Sequence, residues 1–294
     1  MKLISFYRRN RSPGIGVTGF EDGRVLDLQA ANSAAPHDMN AFLALGMEGL
    51  QIAWKAQETQ KDNPSVWINP GDYVLRPPVP HPSKFLLMGL NYKAHVLEGG
   101  RELPERPVLF GRWAQSLIAH GEPIWVPQVS ERVDWEGELV IVIGKEGKHI
   151  KPENALSHIG GYTCFNDVSI RDWQNMSTPA QWTLGKNFDH SGPLGPWLVT
   201  ADDVPDPANL RLRTLVNGEV MQEGHTGDFI FDIPKLVALV SRAMTLYPGD
   251  LISTGTPGGV GNARKPPVYL KAGDEVTISI DGIGDLTNPV INEP

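Results

Sequence analysis

Five consecutive aliphatic residues, LVIVI at positions 139–143, constrain the fold of this chain more than any other feature. The run is rich in β-branched side chains and is followed by Gly144, which is typical of a β-strand. Side chains of a strand point alternately to its two faces, so a run that is apolar at every position is buried on both. We therefore predict a strand in the interior of the protein, covered on each side.

Two carboxylates stand directly before this strand. Glu136 and Glu138 point to the same face, with Cα atoms roughly 6.5–7 Å apart, and Asp134 shares their parity. Most acids are solvated, so the pair taken alone is better explained as a surface feature at a strand start. If the pair lies near the core, like charges repel and burial raises the cost, so a cation is needed.

Asp167 offers a third carboxylate for such a cation. It ends a second apolar segment, HIGGYTCFND at 158–167, from which it could converge on the two glutamates, although residue spacing does not show that it reaches them. Three hard oxygen ligands suit Mg²⁺, Mn²⁺ or Ca²⁺ rather than zinc, which prefers histidine and cysteine. Because Mg²⁺ usually keeps positions for water and substrate oxygens, such a site would be open and catalytic.

The pair His95 and Glu98 has two interpretations. The residues are three apart, on one turn of a predicted short helix, which suits either a carboxylate-oriented general base or an ordinary surface pair. Gly99 and Gly100 follow at once, and then the charged segment RELPER at 101–106. This composition is typical of a mobile lid and of an ordinary loop.

Two further groups also have plain alternatives. Lys186, between apolar segments in TLGKNF, either faces an anionic ligand or, as its own sequence context favours, extends to solvent. The glycine-rich segment STGTPGGVG at 253–261 lacks the Lys-Ser/Thr ending of a phosphate-binding loop. Its main-chain amides and Thr256 suit a carboxylate, and a tight turn without a ligand explains the segment equally well.

Length and composition predict one large domain, or a large domain with a small one attached, in 294 residues. Glycine (31) and proline (25) indicate many turns and short strands rather than a helical bundle. Strands at 2–7, 14–20 and 24–28 and a helix around 39–60 precede a proline-rich segment at 75–84. We therefore divide the chain into a small N-terminal domain, 1–77, and a larger domain, 78–294.

The larger domain is mainly β. Its clearest hairpin turns at Asn217-Gly218, and its clearest helix begins at Asp232, which can cap it, and continues through KLVALVSRAMTL.

Charge and cysteine content indicate the compartment and exclude some partners. The net charge of −8, with no basic cluster, argues against nucleic acid. Cys164 is the single cysteine, so no intrachain disulfide can form, which fits a reducing compartment. The first residues, MKLISFYRRN, have no apolar stretch of signal-peptide length, so we expect no secretory signal, and no apolar run approaches membrane-spanning length. We predict a cytoplasmic protein without a membrane partner.

Seven segments, in order from about Phe85 to Val290, together resemble the fumarylacetoacetate hydrolase (FAH) family. They are GLNYKAHVLE, VDWEGELVIVIGK, GYTCFNDVSIRDWQ, LGKNFDHSGPLGPW, VNGEVMQ, PGDLISTGTPGGVG and GIGDLTNPV. The resemblance implies an α+β, mainly β fold, in which a mixed β-sandwich roll forms the catalytic domain beside a small N-terminal domain. It also implies a homodimer and a small oxo-acid substrate.

The resemblance further assigns roles to individual residues. It implies that Mg²⁺ or Mn²⁺, with Ca²⁺ as a substitute in crystals, is bound by Glu136, Glu138 and Asp167. It implies that His95 and Glu98 form the dyad that activates water. The other implied contacts, to developing negative charge and to the substrate carboxylate, are Lys186, Arg171, Gln174 and Thr256.

The implied activity is metal-dependent hydrolysis of a C–C bond in a 2,4-dioxo acid (an acylpyruvate) or a related β-diketone, releasing pyruvate or a similar oxo acid. Breaking a C–C bond beside a carbonyl leaves an enolate, whose oxygen needs a cation as its charge develops. The alternative within the family is a 2-oxo acid decarboxylase or a keto–enol isomerase. A non-catalytic binding protein is expected to have lost a ligand or the dyad, and neither is missing here.

Two segments depart from the family pattern. Many relatives have K-P-x-S-S after the lid, where this chain has RWAQS at 112–116, and S-x-x-M-I-F where it has TGDFIF at 226–231. Both segments are expected to border the substrate pocket. Arg112 and Trp113 would then favour a larger or aromatic-derived acyl group.

Overall fold

Strands outnumber helices among the described residues, as the glycine and proline content predicts. The computed structural model describes residues 1–100, 102–177 and 181–294, so Arg101 of the predicted lid lies outside the described residues. The strands, in chain order, are β1 Lys2–Arg8, β2 Pro13–Thr18, β3 Val25–Asp27, β4 Trp67–Ile68, β5 Tyr73–Arg76, β6 Phe85–Gly89, β7 Val108–Gly111, β8 Leu117–Ile118, β9 Ile124–Val126, β10 Val133–Asp134, β11 Gly137–Ile143, β12 Ile159–Asn166, β13 Ser169–Ile170, β14 Gly192–Thr200, β15 Arg211–Val216, β16 Glu219–His225, β17 Leu251–Ser253, β18 Glu275–Ile280 and β19 Gly284–Asn292. The α-helices are α1 Leu28–Ala31, α2 Met39–Ala44, α3 Met47–Thr59, α4 Lys93–Glu98, α5 Arg171–Gln174, α6 Trp182–Gly185 and α7 Ile233–Ala243.

The largest sheet runs through both halves of the chain. Its order is β4-β3-β2-β1-β14-β12-β11-β17-β6-β7, with β5 also paired to β1 and β8 to β14. The N-terminal strands join the rest where β1 pairs with β14, with Lys2 opposite Val199. The division of the chain at residue 77 stays a prediction.

Strand β11 is buried on both faces, which confirms the prediction made from its apolar run. Leu139, Ile141 and Ile143 belong to a core shared with the second sheet and with α7. Val140 and Val142 point the other way, into a core completed by the N-terminal strands and helices. Because side chains alternate along a strand, β11 contributes to the two larger apolar cores among the described residues.

A five-stranded sheet, β16-β15-β18-β19-β9, packs over the first core. Its β15–β16 hairpin turns at Asn217 and Gly218, both with positive φ (53° and 81°), as the Asn-Gly pair predicts. A short pair, β10–β13, stands apart from both sheets. The architecture confirms an α+β fold that is mainly β.

Two helices differ from the prediction in their extent. The helix expected around 39–60 is two helices, α2 and α3, because the chain turns at Gly46, whose φ is +55°. Helix α7 begins as predicted, since the Asp232 side chain accepts a hydrogen bond from the Lys235 N–H, but it ends at Ala243. Among the described residues, none of the helices has the length and apolar character needed to span a membrane.

Candidate active site

The antiparallel pairing of β11 with β12 brings the predicted carboxylates together. Gly137 lies opposite Asn166, so Glu136, one residue before β11, meets Asp167, one residue after β12. The Asp167 N–H donates to the Glu136 carbonyl oxygen at 2.8 Å. Carboxylate oxygens of Glu136, Glu138 and Asp167 lie within 4.8 Å of one another, and all three residues are buried.

Gly137, between the two glutamates, is held by Gln222 of β16. The Gln222 Oε1 accepts from the Gly137 N–H at 3.0 Å and from the Thr214 hydroxyl at 2.7 Å. Its Nε2 donates to Thr256 Oγ1 and to the Pro257 carbonyl, both at 2.8 Å. Gln222 therefore joins the five-stranded sheet, the start of β11 and the glycine-rich loop. Residue spacing does not predict this role, because the contact joins two residues that are more than eighty positions apart.

We expect Gly137→Ala to destabilise the protein and weaken metal binding. A Cβ at this position would lie 2.3 Å from the Thr214 hydroxyl and 3.2 Å from the Ile278 side chain, inside a packed core. Overpacking of this kind costs about 1–3 kcal/mol and would displace the flanking glutamates. Thermal unfolding and Mn²⁺ titration measure both effects. Gly111→Ala is the control, since its Cβ would meet nothing closer than 4.0 Å; equal behaviour of the two variants would contradict the prediction.

Lys186 lies between two of the acids. Its Nζ donates to Glu136 Oε2 and to Asp167 Oδ2, each at 2.6 Å, and the residue is 1 % exposed. The solvent-directed lysine that its own sequence context favours is therefore wrong. Burial alone would raise the pKa of Glu136, but the positive charges of Lys186 and Arg171 outweigh it and lower the pKa to about 2.

Glu138 has no cationic partner among the described residues. Its Oε2 accepts hydrogen bonds from the Ser253 hydroxyl and, at 3.1 Å, from the Gly255 N–H. Burial, followed by the negative charges of Asp167 and Glu136, raises the pKa of Glu138 well above its usual value. This buried carboxylate is therefore the group that most needs an added cation.

The charge of the site fits a divalent ion. The buried acids Asp134, Glu136, Glu138 and Asp167 outnumber by one the buried bases Arg112, Arg171 and Lys186. An ion of charge +2 would reverse the sign and leave the site attractive to an anionic substrate. The donors are all carboxylate oxygens, which suit Mg²⁺, Mn²⁺ or Ca²⁺.

Arg171 and Gln174, on the single turn of α5, line the other side of Glu136. Arg171 Nη2 lies 2.8 Å from Glu136 Oε1 and 2.6 Å from Asp134 Oδ2, and Nη1 donates to Gln174 Oε1 at 2.9 Å. Asp134 also accepts from the Gly261 and Asn262 N–H groups, at 2.7 and 3.0 Å. Asp134 therefore anchors Arg171 and the glycine-rich loop.

His95 and Glu98 form the predicted pair on α4. His95 Nδ1 lies 2.8 Å from Glu98 Oε1, and Glu98 Oε2 accepts from the Gly259 N–H at 2.8 Å. Since a carboxylate only accepts, Nδ1 carries the proton, and Nε2 is left as a base. The second bond fixes this helix to the glycine-rich loop.

The Thr256 hydroxyl, part of the predicted carboxylate-binding group, already makes two hydrogen bonds within the protein. Its hydroxyl donates to the Gly137 carbonyl at 2.9 Å and accepts from Gln222 Nε2. Among the described residues no acceptor is bonded to its main-chain N–H. That N–H is the group with which Thr256 can hold a carboxylate.

These side chains surround one cavity of about 330 Å³. Eight of the nine predicted site residues line it, and the ninth, Asp167, is completely buried and bonded to Lys186. Phe110 and Trp182 form an apolar wall, with the Trp182 ring lying directly over Gly89. The prediction that RWAQS and TGDFIF border the cavity is wrong, because neither segment contributes to its lining.

A buried carboxylate triad beside a cavity that a His–Glu dyad also lines defines the class of fumarylacetoacetate hydrolase-type enzymes. The chain belongs to this family. The family profile described as fumarylacetoacetate (FAA) hydrolase C-terminal matches residues 84–291.

Relatives and solved structures agree with this assignment over the whole chain. The mitochondrial oxaloacetate tautomerase fahd2 of Xenopus laevis is 42% identical over 292 residues, which cover 99% of this chain and 90% of that protein. A fumarylacetoacetate hydrolase from Exiguobacterium antarcticum has a TM-score of 0.83 at 34% identity, covering 100% of both chains. Maleylpyruvate hydrolase from Sphingobium sp. SYK-6, in complex with manganese(II) and pyruvate, has a TM-score of 0.80 at 30% identity, again over 100% of both.

Proposed function

We propose that this protein is a divalent-metal-dependent enzyme that forms the enolate of a small 2-oxo acid, and that it interconverts the keto and enol forms of a 2-oxo diacid such as oxaloacetate. The observation that carries the proposal is the arrangement of a base, His95, and a buried carboxylate triad on one cavity. The full-length likeness to an oxaloacetate tautomerase supports tautomerisation ahead of the hydrolysis that sequence analysis placed first.

The dyad would move the proton. His95 Nε2 removes a proton from the carbon next to the ketone, and the electron pair passes to the ketone oxygen. The imidazolium, stabilised by Glu98, then returns the proton to that oxygen, so that the enol forms with no net gain or loss of atoms.

The triad and Lys186 would stabilise the negative oxygen. A divalent cation held by Glu136, Glu138 and Asp167 would supply positive charge where the enolate forms. The Lys186 ammonium, 2.6 Å from two of these carboxylates and with a side chain only 2 % exposed, adds a fixed positive charge beside them.

Donors on the cavity wall suit the carboxylates of such a substrate. Gln174 and Thr256 line this wall, and because the Thr256 hydroxyl donates to the Gly137 carbonyl, its main-chain N–H is the donor that we assign to a substrate carboxylate. The Phe110–Trp182 wall faces the carbon chain, and a cavity of about 330 Å³ accommodates a short diacid.

Hydrolysis of an acylpyruvate is the second candidate, supported by the likeness to maleylpyruvate hydrolase. In this case His95 deprotonates water, the hydroxide attacks the distal carbonyl, and the C–C bond breaks to give a carboxylic acid and pyruvate enolate. Decarboxylation of a 2-oxo acid uses the same enolate and needs the dyad less.

One panel separates the three activities. Purified protein is given oxaloacetate, acetylpyruvate and fumarylpyruvate with Mg²⁺, Mn²⁺ or EDTA, while enol absorbance and pyruvate are followed together. Tautomerisation predicts faster keto–enol equilibration of oxaloacetate without pyruvate release. Pyruvate from an acylpyruvate would instead establish the hydrolase, and pyruvate from oxaloacetate above a protein-free metal blank the decarboxylase. Equal rates in wild type and Glu136→Ala would overturn the proposal.

Location and assembly stay predictions. The relative from Xenopus laevis is mitochondrial by name, whereas the sequence predicts a cytoplasmic protein. A homodimer is retained from the family resemblance, and size-exclusion chromatography with light scattering tests it.

A further inference from the structure

Arg112 lies behind the carboxylate triad and bonds to one of its members. Its side chain is completely buried, as is that of Asp167. Nη2 donates to Asp167 Oδ1 at 2.7 Å, and Nε reaches the same oxygen at 3.2 Å. One oxygen of Asp167 is therefore occupied by the guanidinium, while the other, Oδ2, faces Lys186.

Three further contacts hold the guanidinium in place. Nη2 donates to the Val168 carbonyl at 3.0 Å, and Nη1 donates to Ser191 Oγ at 2.9 Å and Ser116 Oγ at 3.3 Å. Ser191 in turn donates to the Phe188 carbonyl at 2.6 Å. Arg112 therefore has a position set by several chain segments, independently of any bound ion.

We propose that Arg112 is a positioning residue of the metal centre, which fixes Asp167 as a ligand through Oδ2 alone. A carboxylate bound through one oxygen would leave free a coordination position that a bidentate carboxylate fills, and that position would be open to a substrate oxygen. The inference rests on the metal centre of the proposed function.

The planar fork of arginine explains the residue at this position. A guanidinium reaches Asp167, the Val168 carbonyl and two serines in fixed directions, whereas a lysine ammonium offers three donors from one point. The departure from the lysine of the family pattern therefore alters the support of the metal site, and not the lining of the cavity.

Substrate-free metal binding tests the inference. Mn²⁺ affinity is measured by calorimetry, and water proton relaxation reports the exchangeable waters on the bound ion, for wild type, Arg112→Lys and Arg112→Met. We expect both variants to bind Mn²⁺ about 10–100-fold more weakly, as for other outer-sphere partners. We also expect lower relaxation enhancement per bound ion, because the released Asp167 can bind through both oxygens.

If Arg112 acted only through its positive charge, the Mn²⁺ affinities of the two variants would differ from those expected above. Arg112→Lys would then keep wild-type affinity, and Arg112→Met would bind Mn²⁺ more tightly, because a repulsive charge has been removed. Either result, or unchanged relaxation in both variants, would overturn the inference.

Two controls separate positioning from stability. Arg8 pairs with Asp27 through two 2.7 Å contacts outside the cavity, so Arg8→Met should lower thermal stability but leave Mn²⁺ affinity unchanged.

If Arg112→Met does not fold, Ser191→Ala serves in its place. This variant removes one hydrogen-bond partner of Arg112 Nη1 and should weaken Mn²⁺ binding several-fold. Wild-type Mn²⁺ affinity in Ser191→Ala would count against the inference. Wild-type protein that binds no Mn²⁺ would overturn the proposed function as well, whereas normal binding in the Arg112 variants would overturn the inference alone.

Discussion

Replacing Glu138 with glutamine is expected to make the metal-free protein more stable and to abolish its activity. Glutamine has the shape of glutamate, and its Oε1 can still accept from the Ser253 hydroxyl and the Gly255 N–H. What disappears is a buried negative charge that has no cationic partner among the described residues. The substitution therefore removes the repulsion from Asp167 and Glu136 without opening a cavity.

The loss of activity is expected because the negative charge of Glu138 is proposed to bind the metal ion. Replacing an outer-sphere partner of a metal ligand costs about 10–100-fold in affinity or activity, so loss of a ligand should cost at least about 100-fold. Calorimetry should show greatly weakened Mn²⁺ binding, and oxaloacetate tautomerisation should fall to the level measured with EDTA. Ordinary Mn²⁺ affinity in Glu138→Gln would remove Glu138 from the triad.

The stability difference between Glu138→Gln and the wild-type protein should depend on pH. The pKa of Glu138 is higher in the folded than in the unfolded state. The free energy that Glu138 contributes to folding is therefore fully present below the unfolded-state pKa and is lost as the pH rises. The advantage of Glu138→Gln in unfolding free energy, measured in EDTA, should therefore grow as the pH rises above the ordinary glutamate pKa of about 4.3. Glu131→Gln, at an exposed position, is the control and should show no such trend. A difference in unfolding free energy that stays constant as the pH rises would contradict this prediction.

The features that sequence predicted correctly depend on local chemistry. The apolar run of β11 determines burial on both faces, and the Asn217-Gly218 pair determines a hairpin. Both features depend only on residues that are neighbours in the sequence. Asp232 begins α7 for the same reason. Local pattern failed at Gly46, where the apolar spacing continues but the backbone leaves the helical region.

The site was only partly predictable, because its residues meet through strand pairing. Glu136 and Asp167 each stand at the end of an apolar strand, but one sequence does not reveal that these two strands pair. Lys186 illustrates the same limit, since its neighbours favour a solvated side chain and only the distant acids hold it inside. Arg112 was noticed as a departure from the family pattern, but its contact with Asp167 spans fifty-five positions.

Replacing Glu98 with glutamine is expected to lower kcat by about 10²–10⁴-fold without changing metal affinity. The glutamine oxygen can still accept from the Gly259 N–H, so α4 should stay attached to the glycine-rich loop. Its amide, however, donates to His95 Nδ1, and the imidazole proton must then move to Nε2. The nitrogen facing the cavity becomes a donor and can no longer take a proton from the substrate.

The measurement compares kcat, Mn²⁺ affinity and thermal stability for Glu98→Gln, His95→Ala and Glu102→Gln, the last replacing an exposed acid of the same segment. A wrong tautomer predicts that Glu98→Gln approaches His95→Ala in kcat while its Mn²⁺ affinity and unfolding temperature match those of wild type. A Glu98→Gln enzyme within a few-fold of wild type would show that the Glu98 carboxylate does not set the protonation of His95. In that case the base must be sought elsewhere on the cavity wall. A loss shared equally between kcat and Mn²⁺ affinity would instead mean that Glu98 acts through the glycine-rich loop, whose Gly255 N–H bonds to Glu138.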